Sequence, residues 1–373
     1  MLDLRRQYPQ IRDLVSAAIE RVCSTQHFIG GEEVSAFERE AAASVGATQG
    51  IGCASGTDAL WLALQAAGVG PGDAVITTPF SFFASTSTIT RTGATPLFAD
   101  IDPGTLNLDP NAVERRIAQG FGGLKLKAIL PVHLYGQCAD MDALARIAAE
   151  HKLAIIEDAA QAFGAAWNGR RAGAMGTAAG FSFYPTKNLS AYGDGGLVTT
   201  SDATVAERAL MLRNHGSRQR YYHDEIGWNS RLDAMQAAIL RVKLNYIEEW
   251  NQARRAKAVL YDRLIAESGM KKTGTVVPLT TRPEAFHVFH QYVVRVPRRD
   301  DLRQYLSQHG VGTEIYYPLP LHLQKCFAYL GYKEGDFPEA ERAAREVLAL
   351  PIFPELTETE QRYVIEMTAG FYS

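Results

Sequence analysis

The chain has 373 residues, of which 46% are hydrophobic and 21% charged, and its formal net charge is −3. This length suits two domains, or one large domain with an appendage, and a full hydrophobic core. The balanced charge gives no general attraction to nucleic acid or to an anionic membrane. No run of about 18 apolar residues predicts a transmembrane span. The four cysteines are widely spaced without a C-x-x-C, so we expect no metal site and no disulfide framework in a cytoplasmic protein.

Short apolar runs alternate with helical patterns between about residue 50 and residue 200. Runs rich in Val, Ile, Phe and Thr predict strands at 74–79, 95–101, 127–132, 153–159, 180–184 and 196–200. The residues at 57–68 and 141–152 follow a helical pattern between these strands. Strand–helix alternation of this kind indicates an α/β domain, in which helices flank a mostly parallel sheet.

The pattern becomes helical after about residue 203. Helices are predicted at 203–216 and over a long stretch at 233–268. A strand at 291–296 and a helix at 299–310, closed by glycine, predict a smaller C-terminal unit. We therefore expect a large α/β domain over residues 1–247 and a small C-terminal α+β domain over residues 248–373.

The segment at 53–60 is typical of a helix N-terminus that binds an anion. Ser55 is a good N-cap, and Gly56 has no Cβ to obstruct an approaching ligand. The free N–H groups and the dipole of the first helical turn suit a phosphate. By itself, the segment is more typical of an ordinary capped helix, because capped helices are common.

Two further strand ends carry reactive side chains. Asp158 lies at the end of the strand at 153–159, where ligands bind in open parallel sheets. Lys187 follows the strand that contains Ser182 and precedes a glycine-rich turn. A lysine in a cleft can lose its proton and attack an aldehyde, and a serine hydroxyl can bind phosphate. Each residue alone could be an ordinary solvated side chain.

Together, a phosphate cradle, a carboxylate and a lysine at strand ends of one sheet outline a pyridoxal-phosphate (PLP) site. The lysine would hold PLP as a Schiff base, and the acid would keep the pyridine nitrogen protonated. An aromatic ring is needed to stack on the pyridine, and the segment at 80–83 offers candidates. No P-loop, nicotinamide fingerprint or H-E-x-x-H motif competes with this interpretation.

At this point the sequence resembles the DegT/DnrJ/EryC1/StrS family of sugar aminotransferases, which are fold type I PLP enzymes. The resemblance rests on ASGTDAL (54–60), IIEDAAQAFGA (155–165), FSFYPTKNLSAYGDGGLVTT (181–200), GWNSRLDAMQAAIL (227–240) and YYPLPLHLQ (316–324). It implies Lys187 and Asp158 as catalytic residues. The remaining cofactor-binding residues that it implies are Gly56, Thr57, Phe83 for ring stacking, Gln161, Ser182 and Asn229. Asn229 would reach the phosphate in a neighbouring subunit, which implies a homodimer with shared sites.

The resemblance also implies the reaction. A lysine at position 187, where some relatives that dehydrate sugars have histidine, favours transamination. The YYPLPLHLQ segment resembles that of members acting at C3, on dTDP- or UDP-linked 3-keto-sugars. L-glutamate would donate the amino group, giving a 3-amino-sugar for glycan or secondary-metabolite biosynthesis. The predicted substrate-binding residues are Arg218, Arg220, Tyr221, His223, Tyr317 and His322.

Several alternatives stay open on the sequence alone. The same fold permits amination at C4, or a different PLP reaction such as an aldolase or desulfurase reaction. A regulator that binds PLP without turnover belongs to a different class of function. For the cluster at 218–223 the alternative is a mobile solvated loop, and for His322 it is a packed histidine beside two prolines.

Overall fold

The structure, a computed structural model, describes residues 2–373. The α-helices in this range are α1 (Tyr8–Thr25), α2 (Glu32–Val45), α3 (Gly56–Ala66), α4 (Ala84–Arg91), α5 (Pro110–Ala118), α6 (Met141–His151), α7 (Ala203–Arg213), α8 (Ala234–Leu244), α9 (Ile247–Glu267), α10 (Arg299–Gln308), α11 (Pro338–Glu346) and α12 (Glu358–Tyr372). Short 3-10 helices lie at Leu134–Gly136, Leu321–Leu323 and Lys325–Leu330. None of the described helices combines the length and the apolar character needed to cross a membrane.

The strands in the same range are β1 (Gln49–Cys53), β2 (Asp73–Thr77), β3 (Thr95–Phe98), β4 (Lys125–Leu130), β5 (Ala154–Asp158), β6 (Ala166–Trp167), β7 (Arg170–Arg171), β8 (Ala178–Ser182), β9 (Gly196–Thr200), β10 (Ser217–Gln219), β11 (Tyr222–His223), β12 (Val277–Pro278), β13 (Ala285–Phe286), β14 (Tyr292–Arg295) and β15 (Val347–Leu350).

The central sheet has the order β1-β9-β8-β5-β4-β2-β3. Only β9 runs against its neighbours, and the pairs from β8 to β3 are all parallel. This confirms the predicted mostly parallel sheet, including all six predicted strands. The sequence did not reveal β1, because its glycines weaken the strand pattern. Gly50 is required there, since a Cβ would lie 2.5 Å from the backbone oxygen of Glu38 in α2.

Helices cover both faces of this sheet. The first core packs α1, α2, α6 and α8 against one face, and the second packs α3, α4 and α7 against the other. Helix α3 is apolar around most of its circumference and is largely buried, as expected for a helix enclosed in the middle of a domain. Its N-terminus is thereby fixed at the carboxyl end of the sheet.

The helical stretch predicted at 233–268 is two helices rather than one. The chain leaves the helical path at Asn245 and Tyr246, where the Asn245 side chain donates to the Arg241 carbonyl at 3.0 Å. Beyond this break, β12, β14 and β15 form a separate antiparallel sheet. This sheet packs with α9, α10 and α12 in a third core. The domain division at residue 247 remains a prediction.

Candidate active site

A cavity of about 770 Å³ opens where the central strands end. One wall comes from the N-terminus of α3 and from the segments that follow β2, β5 and β8. The other wall comes from the C-terminal part, at residues 290–291 and 314–317. Of the predicted cofactor residues, those that line it are Gly56, Thr57, Asp158, Gln161, Ser182 and Lys187. The tertiary fold thus brings together residues that are up to 131 positions apart in the chain.

The N-terminus of α3 forms an anion cradle. Ser55 caps the helix, and its Oγ accepts a hydrogen bond from the Asp58 amide at 3.1 Å. Gly56 lies directly against the strand that carries Ser182, since a Cβ on Gly56 would sit 2.5 Å from the Ser182 Cβ. A glycine is therefore required at this position. Backbone N–H groups and a serine hydroxyl converge here, as phosphate binding needs.

Asp158 is a buried carboxylate at the end of β5, with 4% of its surface exposed. Its Oδ2 accepts a hydrogen bond from Ser85 Oγ at 2.6 Å, and its Oδ1 accepts one from the Ala160 amide at 3.2 Å. Burial raises the pKa of Asp158, and the hydrogen bond from Ser85 opposes part of that rise. A buried acid in this state is stabilised by a cationic partner in the cavity, and the protonated nitrogen of a pyridine ring is such a partner.

Lys187 lies in the turn after β8, where its backbone amide donates to the Tyr184 carbonyl at 2.8 Å. Its side chain makes no ion pair or hydrogen bond with any residue in 2–373. Burial lowers the pKa of Lys187 to about 8, although the charge of Asp158 opposes the change. A larger share of this amine is therefore unprotonated at neutral pH than for an ordinary lysine. That state is needed for attack on an aldehyde.

Glu157, the neighbour of Asp158, has a structural role. The Ala139 amide donates to His133 Nδ1 at 3.2 Å, so the proton of the neutral ring is on Nε2, which donates to Glu157 Oε2 at 2.9 Å. Burial disfavours ionisation of Glu157, but hydrogen bonds from His133 and from the amides of Gly173 and Gly176 outweigh it and hold its pKa below the usual range. The ionised Glu157 therefore fixes the segment beside β5.

Gln161 and Tyr317 are joined across the cavity. The Tyr135 amide donates to Gln161 Oε1 at 2.6 Å, so the Gln161 Nε2 is free to donate to Tyr317 Oη, at 3.0 Å. This bond links the segment after β5 to the C-terminal part of the chain. Burial raises the pKa of Tyr317 far above its ordinary value, so its hydroxyl stays protonated. Tyr317 lines the cavity, as a substrate-binding residue must.

Of the two phenylalanines at 82–83, only Phe82 lines the cavity. Phe83 stands immediately before α4, and its ring stacks on Phe327 with centroids 5.4 Å apart. Adjacent residues entering a helix point in different directions, so only one of the two rings can face the ligand. The stacking role predicted for Phe83 does not agree with this position, whereas Phe82 lines the cavity.

His322 does not reach the cavity either. It is 1% exposed, its Nε2 contacts Glu341 Oε1 at 3.0 Å, and its ring packs against Phe337. The chain turns inward here because the Leu321 amide donates to the Pro79 carbonyl at 2.7 Å. The predicted substrate contact of His322 is therefore wrong, and the alternative of a packed histidine describes it.

The other predicted substrate residues lie on an exposed hairpin formed by β10 and β11. None of them lines the cavity of their own chain; they are Arg218, Arg220, Tyr221 and His223. Arg218 contacts Glu207 and Asp224, whereas Arg220 makes no ion pair within residues 2–373. Asn229 is also exposed and outside this cavity. These residues therefore lie outside the cavity of their own chain.

His290 lines the cavity and was not predicted from the sequence. Asn188 donates through its Nδ2 to Asn251 Oδ1 at 2.8 Å and to the Val288 carbonyl at 3.1 Å, so its Oδ1 must accept from His290 Nδ1, at 3.2 Å. Burial, helped by the charge of Lys187, lowers the pKa of His290 well below its ordinary value. The neutral ring therefore keeps an unprotonated Nε2, with no hydrogen-bond partner in residues 2–373.

Gln291, Glu314 and Tyr316 are further lining residues that the sequence analysis missed. His290 and Gln291 stand at the start of the predicted strand at 291–296, where polar side chains before an apolar run are a usable signal. Glu314 accepts a hydrogen bond from Arg303 at 3.1 Å. Nothing in its local sequence distinguishes it from a surface acid.

Known proteins resemble this chain over nearly its whole length. The model of the DegT/DnrJ/EryC1/StrS aminotransferase family matches residues 9–368. A protein of Geobacillus stearothermophilus named pleiotropic regulatory protein is 52% identical over 373 residues, covering 100% of this chain and 98% of its own. The dTDP-3-amino-3,4,6-trideoxy-alpha-D-glucose transaminase of Streptomyces venezuelae is 45% identical over 365 residues, covering 98% of this chain and 94% of its own.

A solved structure is similar to this chain over nearly the same length. The X-ray structure of S. venezuelae DesV in complex with a ketimine intermediate superposes with a TM-score of 0.93 at 44% identity, covering 99% of this chain and 97% of that one. Aminotransferases of this family depend on PLP, and the cradle, the acid and the lysine described above fit that cofactor. The chain therefore belongs to the DegT/DnrJ/EryC1/StrS aminotransferase family.

Proposed function

We propose that the protein transfers an amino group from L-glutamate to C3 of a dTDP- or UDP-linked 3-keto-sugar. The product is a 3-amino-sugar for glycan or secondary-metabolite biosynthesis. The observation that carries the proposal is that one cavity contains Lys187, whose pKa is lowered, and the buried Asp158. Both residues lie beside the phosphate cradle. The similarity to a sugar transaminase of S. venezuelae supports the substrate class.

Each part of the chain has a definite task in this reaction. PLP, when bound, supplies the electron sink of the reaction. Gly56, Thr57 and Ser182 would hold its phosphate, and Asp158 would stabilise a positive charge on its ring nitrogen. Lys187 would supply the nucleophilic amine and would carry a proton to and from the substrate carbon.

The charge of the cavity supports a site shared between two subunits. The substrates and the cofactor bring several anionic groups. Lys187 is nevertheless the one cationic side chain among the lining residues of 2–373, against the carboxylates of Asp158, Asp194 and Glu314. Anions are not retained in such a cavity without further donors. We propose that a second copy supplies them in a homodimer.

The exposed hairpin is the proposed source of these donors. Its guanidinium groups suit the diphosphate of a nucleotide-linked sugar, since arginine binds phosphate in a bidentate geometry. The residues that would act on the neighbouring subunit are Arg218, Arg220, Tyr221, His223 and, at the cofactor phosphate, Asn229. We further propose that the enzyme works in the cytoplasm.

A second candidate is a PLP-binding regulator without turnover. It is favoured by the 52% identity to the protein named pleiotropic regulatory protein. The two functions differ in one half-reaction, because a regulator binds PLP but does not exchange the amino group with glutamate. A C4 aminotransferase of the same family differs only in which carbon of the sugar faces Lys187.

The test is an absorbance spectrum of the purified protein, recorded before and after L-glutamate is added. We expect a visible band that moves to shorter wavelength with glutamate and is absent in Lys187→Ala, whereas Lys272→Ala, which removes an exposed lysine, leaves it unchanged. Turnover with a panel of 3-keto- and 4-keto-sugars on dTDP and UDP then identifies the carbon. A band that never responds to glutamate favours the regulator, and a protein that does not bind PLP refutes both functions.

A further inference from the structure

Asn229 lies between two neighbours that are both anchored to the body of the protein. The amide of Trp228 donates to the Leu212 carbonyl at 2.8 Å, and the amide of Ser230 donates to the Arg213 carbonyl at 3.1 Å. The Asn229 side chain itself is exposed and makes no hydrogen bond within residues 2–373. A free amide between two fixed residues is presented outward in a defined position.

The anchor on one side is an arginine that contacts two indole rings. The guanidinium carbon of Arg91 lies 5.0 Å from the ring centroids of both Trp61 and Trp228. The two rings meet edge to face, with centroids 5.8 Å apart. Arg91 also donates through Nη1 to Asp58 Oδ1 at 3.1 Å. Arg91 therefore links the ring of Trp228 to Asp58.

The anchor on the other side uses the same aspartate. Ser230 Oγ donates to Asp58 Oδ2 at 3.0 Å and accepts from the Ala54 amide at 3.3 Å. Asp58 is therefore the point where both anchors meet. It lies in the first turn of α3, two residues after Gly56, in the phosphate cradle of its own subunit.

We propose that Arg91 is a positioning residue for the cofactor site of the partner subunit: with Trp228 and Asp58, it holds Asn229 in the orientation that binds the partner's cofactor phosphate. This inference rests on the shared sites of the proposed function. Helix α3 then serves two sites. Its N-terminus binds phosphate in its own subunit, and Asp58 in its first turn helps to order Asn229, which acts on the site of the partner subunit.

The residue type matters for this task. A guanidinium is planar, so it can contact the two rings and still donate to a carboxylate. A lysine can keep the charge near Asp58 but has no planar group to contact both rings. Arg91→Lys therefore tests the position of Trp228 with little change in local charge. Arg39, an exposed arginine paired with Glu32 on α2, provides the matched control Arg39→Lys.

The first measurement is the affinity of the dimeric apoprotein for PLP, by titration of protein fluorescence. We expect about tenfold weaker binding for Asn229→Ala, since a hydrogen bond to a charged group is lost. Arg91→Lys should give about a threefold loss, because Asn229 remains but is less well ordered. Arg39→Lys should bind PLP as the unaltered protein does.

The second measurement separates action on the partner from action on the same subunit. Hybrid dimers are assembled with one Lys187→Ala chain, so that only the other site gives the lysine-dependent absorbance band. When Arg91→Lys is on the Lys187→Ala chain, we expect the site that gives the band to bind PLP about threefold more weakly. When Arg91→Lys is on the chain with the intact lysine, that site should be unaffected.

The outcomes are distinct. The reverse pattern in the hybrids, or full affinity of Arg91→Lys beside a weakened Asn229→Ala, overturns the inference and leaves the shared site standing. Full affinity of Asn229→Ala, or a monomer by light scattering, overturns the shared site and the inference with it. Neither result affects the assignment of Lys187, which the glutamate spectrum tests separately.

Discussion

Replacing Lys243 with methionine should stabilise the protein at neutral pH. Lys243 is 2% exposed and makes no ion pair within residues 2–373. Its amine donates to Ser190 Oγ at 2.6 Å, in the segment that follows Lys187. Burial lowers the pKa of Lys243 from its ordinary 10.5 to about 8. At 1.36 kcal/mol per pH unit, the buried charge costs about 3 kcal/mol at pH 7.

The net gain is smaller, because methionine leaves the Ser190 hydroxyl without its partner. That loss costs about 1 kcal/mol, so Lys243→Met should raise the free energy of unfolding at pH 7 by about 2 kcal/mol. The pH dependence follows from the sign of the pKa change. Between about pH 8 and 10.5 the unfolded lysine binds a proton that the folded one does not, so the unaltered protein gains stability as the pH rises.

The assay is urea denaturation of both holoproteins between pH 7 and pH 10.5, with Lys272→Met as an exposed control. The free energy of unfolding of Lys243→Met should exceed that of the unaltered protein at pH 7, and this difference should shrink as the pH rises. It should then reverse in sign, because the neutral lysine no longer has a buried charge and the variant still lacks the hydrogen bond to Ser190. If this difference in the free energy of unfolding stays constant from pH 7 to pH 10.5, burial of the Lys243 charge is not its cause.

Three further changes test the site. Gly56→Ala should weaken PLP binding at least about tenfold, measured by fluorescence titration, because the new Cβ would lie 2.5 Å from Ser182. Phe82→Leu should weaken it about fivefold through the lost ring contact, whereas Phe83→Leu should not; equal effects would contradict our assignment. His322→Gln should lower the free energy of unfolding by about 2 kcal/mol, seen by denaturation, without changing KM for the keto-sugar; a raised KM would restore its predicted role.

Much of the site was predictable because its residues stand at recognisable places in the chain. Asp158 and Lys187 each follow a strand, and Gly56 follows a capping serine. Strand ends of one parallel sheet meet at one edge, so local patterns alone predict that such residues converge. His290 and Glu314 were not predicted because they come from the C-terminal part, and no local pattern shows that this part packs against the carboxyl end of the sheet.

The two corrections share a physical cause. Phe82 and Phe83 are chemically equivalent neighbours, and only the start of α4 decides which ring faces the cavity. His322 lies in a segment with a clear family resemblance, yet the hydrogen bond from Leu321 to Pro79 turns its side chain inward. A motif gives the type of residue but not the direction of its side chain.

The sequence by itself determined the class of fold, the six central strands that carry the site, and the chemistry of the lysine, acid and phosphate cradle. These follow from hydrophobic periodicity and from residues next to strand ends, which are local properties. The tertiary structure alone decided the lowered pKa of Lys187, the burial of His322 away from the cavity, and the contacts of Arg91 with Trp228 and Asp58. Those depend on burial and on contacts between residues far apart in the chain, and local sequence does not encode either.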